Sequence, residues 1–534
     1  MSAAKRYGLV SALAFVVLAA ASVWMGGLNQ DEGWYLYAAE LAGEGRMPYR
    51  DFFFTQGPLM PAIYSLLRFS WHWAGLAGAR VATCVLGLSG MILFALTARA
   101  LVPKKAKGAA FAAVFALLGC NLYHVYYLTI PKTYALTSLF VALGTFLAVK
   151  ALSAGGTRSR SALFAASGFV FALAAGVRIS MAAIPAVAFV ALAADWRRRP
   201  LAAIWFALGT VVGLCVAYGP SVMDPAAFDG LRAAQEYHAA RGGRSIVFTV
   251  GSISRLVRWY LPLFALCGVV VFGLAWKKAQ SGDGEGGAED DNGFHCVAMR
   301  LLTAAFIAVV VAQVSAPFPY EDYQVPVMGL LAVLAVVPLM KAAAVESPRL
   351  SESVVLLLAT GLSFGVSFGS PLLEKWTTNG MDRFWILQKG QTELSQLRDA
   401  AAKIEEIDPG GKTLLTQDLY LAIETGRRVP DGLEMGPFSQ LTDEEWQELL
   451  LSAPCPVAAL SGYSFAIVPP ECKERPFEDQ MVFWSILGGK YSRAAVVDAF
   501  GQGATTLFIL RRKPQRDARP GADAGGNPGK GGGE

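Results

Sequence analysis

Apolar residues run along this chain in long blocks separated by short polar stretches. A helix that crosses a bilayer needs ~20 predominantly apolar residues, with a range of about 17–25. Blocks of that kind lie at 8–28, 80–101, 109–128, 133–152, 162–178, 180–194, 201–219, 256–275, 299–316, 325–340 and 351–370, so the pattern predicts eleven membrane helices. The fifth and sixth are short and have Arg178 between them. A hairpin that does not fully cross fits those two equally well. From 371 to 512 the pattern shifts to shorter alternating periods. "RFWILQKGQTELSQLRDAAAKI" has helical period, "KTLLTQ" reads as a short strand, "DLYLAIETG" as a helix, and "CPVAALSG" and "ATTLFILRR" as buried strands. The expected fold is an α-helical polytopic membrane module over 1–370, with outer loops 29–79 and 220–255. A small extracytoplasmic α/β domain over 371–512 and a low-complexity, disordered tail over 513–534 complete it.

The polar stretches orient the bundle. Lys5 and Arg6 precede the first block, and Lys104, Lys105 and Lys107 follow the second. Arg158 and Arg160 follow the fourth, Arg197 to Arg199 the sixth, Lys277 and Lys278 the eighth, and Lys341 and Arg349 flank the loop after the tenth. With eleven crossings all of these fall on one side, which basic loops mark as cytoplasmic. The N-terminus is then cytoplasmic and the C-terminal region outside. A cleaved leader ending in "LAAASVWMGG" is an alternative, and it leaves the following loop outside as well. The inner loop "SGDGEGGAEDDNG" reads as a disordered linker.

Composition agrees with a membrane protein. Only 16% of the 534 residues are charged and 54% are hydrophobic, against roughly a quarter charged in soluble domains. The mean hydropathy of +0.42 argues against a disordered chain and against a cytosolic enzyme. The net charge of +5 is dispersed in short clusters, which does not suggest a nucleic-acid partner. Seven Cys form no CxxC, and Cys455 and Cys472 could pair if their region is extracytoplasmic. Four His residues, at 72, 124, 238 and 295, do not suggest a His-based metal site. P-loop and HExxH motifs are absent.

The outer loops are long and rich in acids, aromatics and Pro. Directly after the first block come Asp31 and Glu32, then "GWYLYAAELAGEGRMPYRD", an amphipathic helix that ends in Gly and Pro. Two carboxylates at a membrane exit suit a general base or ligands. An acidic first turn favoured by the helix dipole is the structural alternative, and composition does not decide between them.

The stretch "NQDEGWYLYAAELAGEGRMPYRDFFFTQGPLMPAIYSLL" resembles the first outer loop of the GT-C superfamily of integral-membrane glycosyltransferases. That superfamily includes protein O-mannosyltransferases and the aminoarabinose transferases of lipid A. The specific likeness covers about 29–67, and the rest matches by architecture. The resemblance implies a polyprenyl-phosphate sugar donor, used on the outer face of a bacterial inner membrane with inversion at the anomeric carbon. It implies a lipid, glycan or protein acceptor, and membrane lipids as surroundings. Asp31 becomes the candidate base, with Glu32 beside it as orienter, acceptor contact or metal ligand.

A lipid-phosphate leaving group needs cations facing it. The outer candidates are Arg46, Arg50, Lys132, Arg178, Arg241 and Arg244, with Arg241, Arg244, Arg178 and Lys132 favoured for the donor phosphate. Headgroup anchoring is the alternative for Arg241 and Arg244. Candidate acceptor or cavity residues are Tyr35, Arg50, Gln56, His124, Tyr237, His238, Glu321, Asp322 and Tyr323. Asp418, Tyr420 and Asp431 read as structural or acceptor-contacting. Several relatives carry Lys just before the "PP" of the return segment, where this chain has Gln56 and Gly57. A second acid often follows their third span, where this chain has "NLYHVYYLTIPK". No cofactor is therefore certain, and a divalent metal stays open. A polyprenyl-linked glycan transporter or flippase, a glycan ligase and a non-catalytic envelope scaffold are the competing functions.

Overall fold

The computed structural model describes residues 2–195, 201–240, 245–280, 289–344, 351–377, 390–439, 441–461 and 480–514. Helices α1 (Ala3–Trp24), α2 (Gln30–Gly43), α3 (Leu59–Ser65), α4 (Phe69–Ala100), α5 (Lys107–Gly119) and α6 (Leu122–Tyr127) open the chain. The bundle continues with α7 (Thr133–Ser153), α8 (Thr157–Val177), α9 (Ala183–Ala194), α10 (Ala202–Met223), α11 (Pro225–Ala240), α12 (Ile246–Trp259) and α13 (Leu261–Gln280). It ends with α14 (Glu289–Val314), α15 (Met328–Ala344), α16 (Glu352–Phe368) and α17 (Pro371–Thr377).

All eleven predicted blocks fold as helix. Among the described residues seven stretches are long and apolar enough to cross a membrane, and nine if two bent pairs each count as one crossing. The bent pairs are α12–α13, at 87°, and α16–α17, at 45°. The other two predicted blocks are shorter. Block 109–128 is split into α5 and α6, because Asn121 leaves helical geometry and its side chain accepts the His124 N–H at 3.1 Å. Block 180–194 is the short apolar helix Ile179–Ala194, set off from α8 by the extended backbone of Arg178. The protein is a multi-pass membrane protein by the length and apolarity of these helices.

The two ends of the bundle differ in character. Ala4 packs beside Gly108, so the clusters Lys5–Arg6 and Lys104–Lys107 share one end. The opposite end carries α2, α3, the start of α7 and the C-terminal region.

That region contains α18 (Glu393–Ile407), α19 (Leu419–Thr425), α20 (Asp443–Ser452) and strands β1 (Val457–Ser461), β2 (Tyr491–Phe500) and β3 (Thr505–Arg512). The strands form one antiparallel sheet in the order β1-β3-β2. Residues 412–417 are extended and join it by an isolated bridge, Leu415 to Ala458. The region shares a single hydrophobic core with the first outer loop: Trp34, Tyr37 and Leu41 of α2 are buried with Leu397, Leu419, Val457 and Ile509. The approach is close. A Cβ at Gly33 would stand 2.3 Å from the Tyr420 backbone nitrogen, so only Gly lets α2 lie on α19. Cys455 is a buried free thiol, and Cys472, its expected partner, lies outside the described residues.

Candidate active site

The site is built where α1 ends. Gly26 and Gly27 stop that helix, and Asn29 starts the next. The Asn29 side chain accepts from Asp31 N at 3.0 Å, and Glu32 Oε1 accepts from Asn29 N at 3.0 Å. This is a capping box, and it fixes the first turn of α2. Arg80 of α4 reinforces it. Its Nε and Nη2 donate to Glu32 Oε2 and Oε1 at 2.8 and 2.7 Å, and its remaining donors reach the carbonyls of Val23, Gly26 and Gly27 at 2.9–3.1 Å. Neither charged side chain is exposed.

Glu32 is thus structural rather than part of the cavity. The adjacent expectation, two carboxylates sharing the chemistry, separates into two roles. Glu32 points into the protein and anchors the turn. Asp31 points the other way, 31% exposed, with Oδ2 2.7 Å from Lys132 Nζ and Oδ1 accepting from Trp34 Nε1 at 3.2 Å.

Asp31 faces a cavity of about 680 Å³. Lys132 and Arg178 are the cationic side chains among the described residues that line it, together with Gln56, Glu321, Asp322 and Tyr323. Lys132 also lies 3.6 Å from Asp322, whose Oδ2 accepts from Tyr134 Oη at 2.8 Å. Burial opposes the Lys132 charge, but Asp31, Tyr134 and Asp322 outweigh it, and the ammonium keeps its proton above the ordinary lysine range. Arg178 stands over the rings of Tyr323 and Tyr134, 4.2 and 5.2 Å from their centroids, and donates to Thr133 Oγ1 at 3.2 Å. Among the described residues no carboxylate is within ion-pair distance of it. The return segment is pinned beside it: a Cβ at Gly57 would lie 2.1 Å from the Gly176 carbonyl oxygen. The C-terminal region closes the cavity with Phe438 and Gln502, and Gln502 Oε1 accepts from Gln30 N at 2.8 Å.

Of the residues expected from sequence, Asp31, Lys132, Arg178, Gln56, Glu321, Asp322 and Tyr323 line one cavity. The others do not. Tyr35 stacks on Trp34 with centroids 3.8 Å apart, behind Asp31. Arg50 is paired with Asp51 and Asp224 at the surface. His124 is buried against Tyr260, Nδ1 to hydroxyl 2.8 Å. Tyr237 packs edge-on against Phe53. Arg46 pairs with Asp431 and Glu434. Asp418 and Tyr420 are buried and bonded to each other at 3.0 Å. Arg241, Arg244 and the side chain of His238 lie outside the described residues.

Sequence reading missed Arg80 and Tyr134. Arg80 stood at the edge of an apolar block, where a charge demands a partner. Tyr134 had no such signal. The second carboxylate near Lys132 is Asp322, 190 positions later in the chain. Among the described residues no three His, Cys, Asp or Glu side chains are grouped to hold a metal ion. The Lys132 ammonium lies between Asp31 and Asp322 in this structure.

No family model matches the chain, and no curated protein does. Solved structures do. ArnT from Cupriavidus metallidurans bound to undecaprenyl phosphate is similar with TM-score 0.58 and 14% identity, over 94% of this chain and 97% of that one. The apo state of the same protein gives TM-score 0.59 at 14% identity, over 95% and 98%. The Archaeoglobus fulgidus oligosaccharyltransferase in complex with Zn and sulfate gives TM-score 0.54 at 12% identity, over 95% and 73%. Their likeness extends over nearly the whole chain. The protein described here shares its fold with ArnT and with the archaeal oligosaccharyltransferase.

Proposed function

We propose that this protein is an inverting glycosyltransferase that moves a sugar from a polyprenyl-phosphate donor to an envelope acceptor. The observation that carries this reading is the convergence of the Asp31 carboxylate with the cations Lys132 and Arg178 on a single cavity at the end of the bundle away from the basic clusters. The fold, and the undecaprenyl phosphate held by ArnT, support a lipid-linked donor.

In this reading the donor phosphate meets Lys132 and Arg178, whose charges stabilise the leaving phosphate as the bond to the anomeric carbon breaks. An acceptor hydroxyl attacks the opposite face of that carbon. Its proton passes to Asp31, and the electron pair of the broken bond leaves with the polyprenyl phosphate. Asp322 and Tyr134 hold Lys132 in place, while Glu321, Gln56 and Tyr323 form walls that an acceptor would touch. The site faces the outside of a bacterial inner membrane, with the N-terminus cytoplasmic, as the basic loops imply.

The test is transfer from a radiolabelled undecaprenyl-phosphate sugar by the purified protein, wild type beside Asp31→Asn. Transfer that depends on Asp31 supports the reading. Movement of the lipid-linked sugar across vesicles without transfer replaces it with a flippase.

A further inference from the structure

Asp31 is not poised as a base in this structure. Its Oδ2 is 2.7 Å from Lys132 Nζ, and Lys132 is nearly buried, with its side chain 7% exposed. A carboxylate held by an ammonium at that distance has much of its charge compensated, and it accepts a proton poorly. Among the described residues, Lys132 is also one of the two cations that line the cavity a phosphate would enter. One ammonium is therefore wanted by two anions.

We propose that the donor phosphate and Asp31 compete for Lys132, so that donor binding is what releases Asp31 to act as the base. This inference rests on the glycosyltransferase reading and adds a control to the same site. In the empty site Asp31 stands in for the phosphate. When the phosphate arrives, the Lys132 ammonium turns to it, and Asp31 loses that ammonium's compensation beside the acceptor hydroxyl. The coupling keeps the base disarmed until there is a sugar to transfer.

The surroundings suit an exchange. Among the described residues, the other carboxylate near Lys132 is held by something else. Asp322 is fixed by Tyr134 at 2.8 Å and lies farther off, at 3.6 Å. The rings of Tyr134 and Tyr127 lie 5.2 and 5.9 Å from Nζ and favour the cation wherever it swings. Arg178 rests on aromatic faces and on a hydroxyl, and it adds a second charge to the phosphate without giving up an ion pair. Asp31 itself has another bond to keep its place, from Trp34 Nε1 at 3.2 Å.

The test needs neither the sugar nor the acceptor. Undecaprenyl phosphate is titrated onto the purified full-length protein, and its Kd is measured for wild type, Asp31→Asn, Lys132→Met and the double variant. Asparagine keeps the shape of Asp31 and the Trp34 bond. Competition predicts that Asp31→Asn tightens binding, by about fivefold for the release of one partly exposed ion pair. In the Lys132→Met background the same substitution should change Kd less than about twofold, because nothing is left to compete for. Equal tightening in both backgrounds would mean simple charge repulsion, and would overturn the exchange. No tightening at all would also overturn it. If wild type binds no undecaprenyl phosphate, the donor reading itself fails, which is a different result from binding that ignores Asp31.

Discussion

Arg80 grips both carboxylate oxygens of Glu32 at 2.7 and 2.8 Å, with neither side chain exposed. The pair joins the second long helix to the turn that carries Asp31. Removing one partner leaves the other charged and buried, at a cost of about 3–5 kcal/mol. Glu32→Ala should therefore lower the thermal unfolding midpoint strongly and reduce the yield of folded protein. Glu32→Gln, which keeps the cap oxygen, should do less harm. Equal and small shifts for both, in a detergent melt, would show that the pair is not structural.

Asp31→Asn should leave that midpoint close to wild type and lower transfer by about 10²–10⁴-fold, the usual worth of a general base. The measurement is initial rate at saturating donor. Full activity in a folded Asp31→Asn protein would remove Asp31 from the chemistry.

Arg178→Ala should weaken undecaprenyl phosphate binding by about 10–100-fold, as expected for a lost hydrogen bond to a charged group. Arg178→Lys should restore little. The planar guanidinium lies 4.2 Å from the Tyr323 ring centroid, and an ammonium on a flexible stem would not keep that stacked position. Direct titration of the lipid phosphate separates these outcomes.

Gly33→Ala should loosen the C-terminal region from α2. Its new Cβ would stand 2.3 Å from a backbone nitrogen of α19, and backbone does not yield as a side-chain tip does. The expected loss is about 1–3 kcal/mol. Faster proteolytic clipping between the membrane bundle and 390–514 would report it.

Cys455 gives a pH dependence. Burial pushes its thiol up to about 11, while an unfolded thiol titrates near ~8.5. The folded state favours the neutral form, so its contribution to stability is whole below about pH 8.5 and is lost as pH rises towards 11. Cys455→Ala should lack that slope, so the difference between the melting midpoints of wild type and variant should fall as pH rises from about 8.5 towards 11. The folded protein should resist maleimide at neutral pH and react after unfolding.

The membrane helices were legible because a bilayer imposes one length and one polarity on every crossing. Where the eleven blocks exceed the full-length helices, a local device intervenes: the Asn121 cap cuts one block, and the extended Arg178 ends another. Asp31 was legible as a carboxylate after a span, and Lys132 and Arg178 as charges with nowhere apolar to go. Their partners were not. Asp322 reaches Lys132, and Arg80 reaches Glu32, through helix packing that adjacent sequence does not encode. The division of labour between Asp31 and Glu32 follows from helix geometry, since neighbours on a helix point about 100° apart. The strand β2 was missed, because its polar and apolar residues do not alternate cleanly along 491–500.

The turn bearing Asp31 is braced by residues made long after it. Gln30 is bonded by Gln502 and Gln417, and Leu28 by Glu393 at 2.6 Å. A ribosome that has finished every membrane helix has still not finished the active site. The candidate site is complete only when the turn between β2 and β3 lies against the first loop, so a chain interrupted before residue 502 would lack that brace.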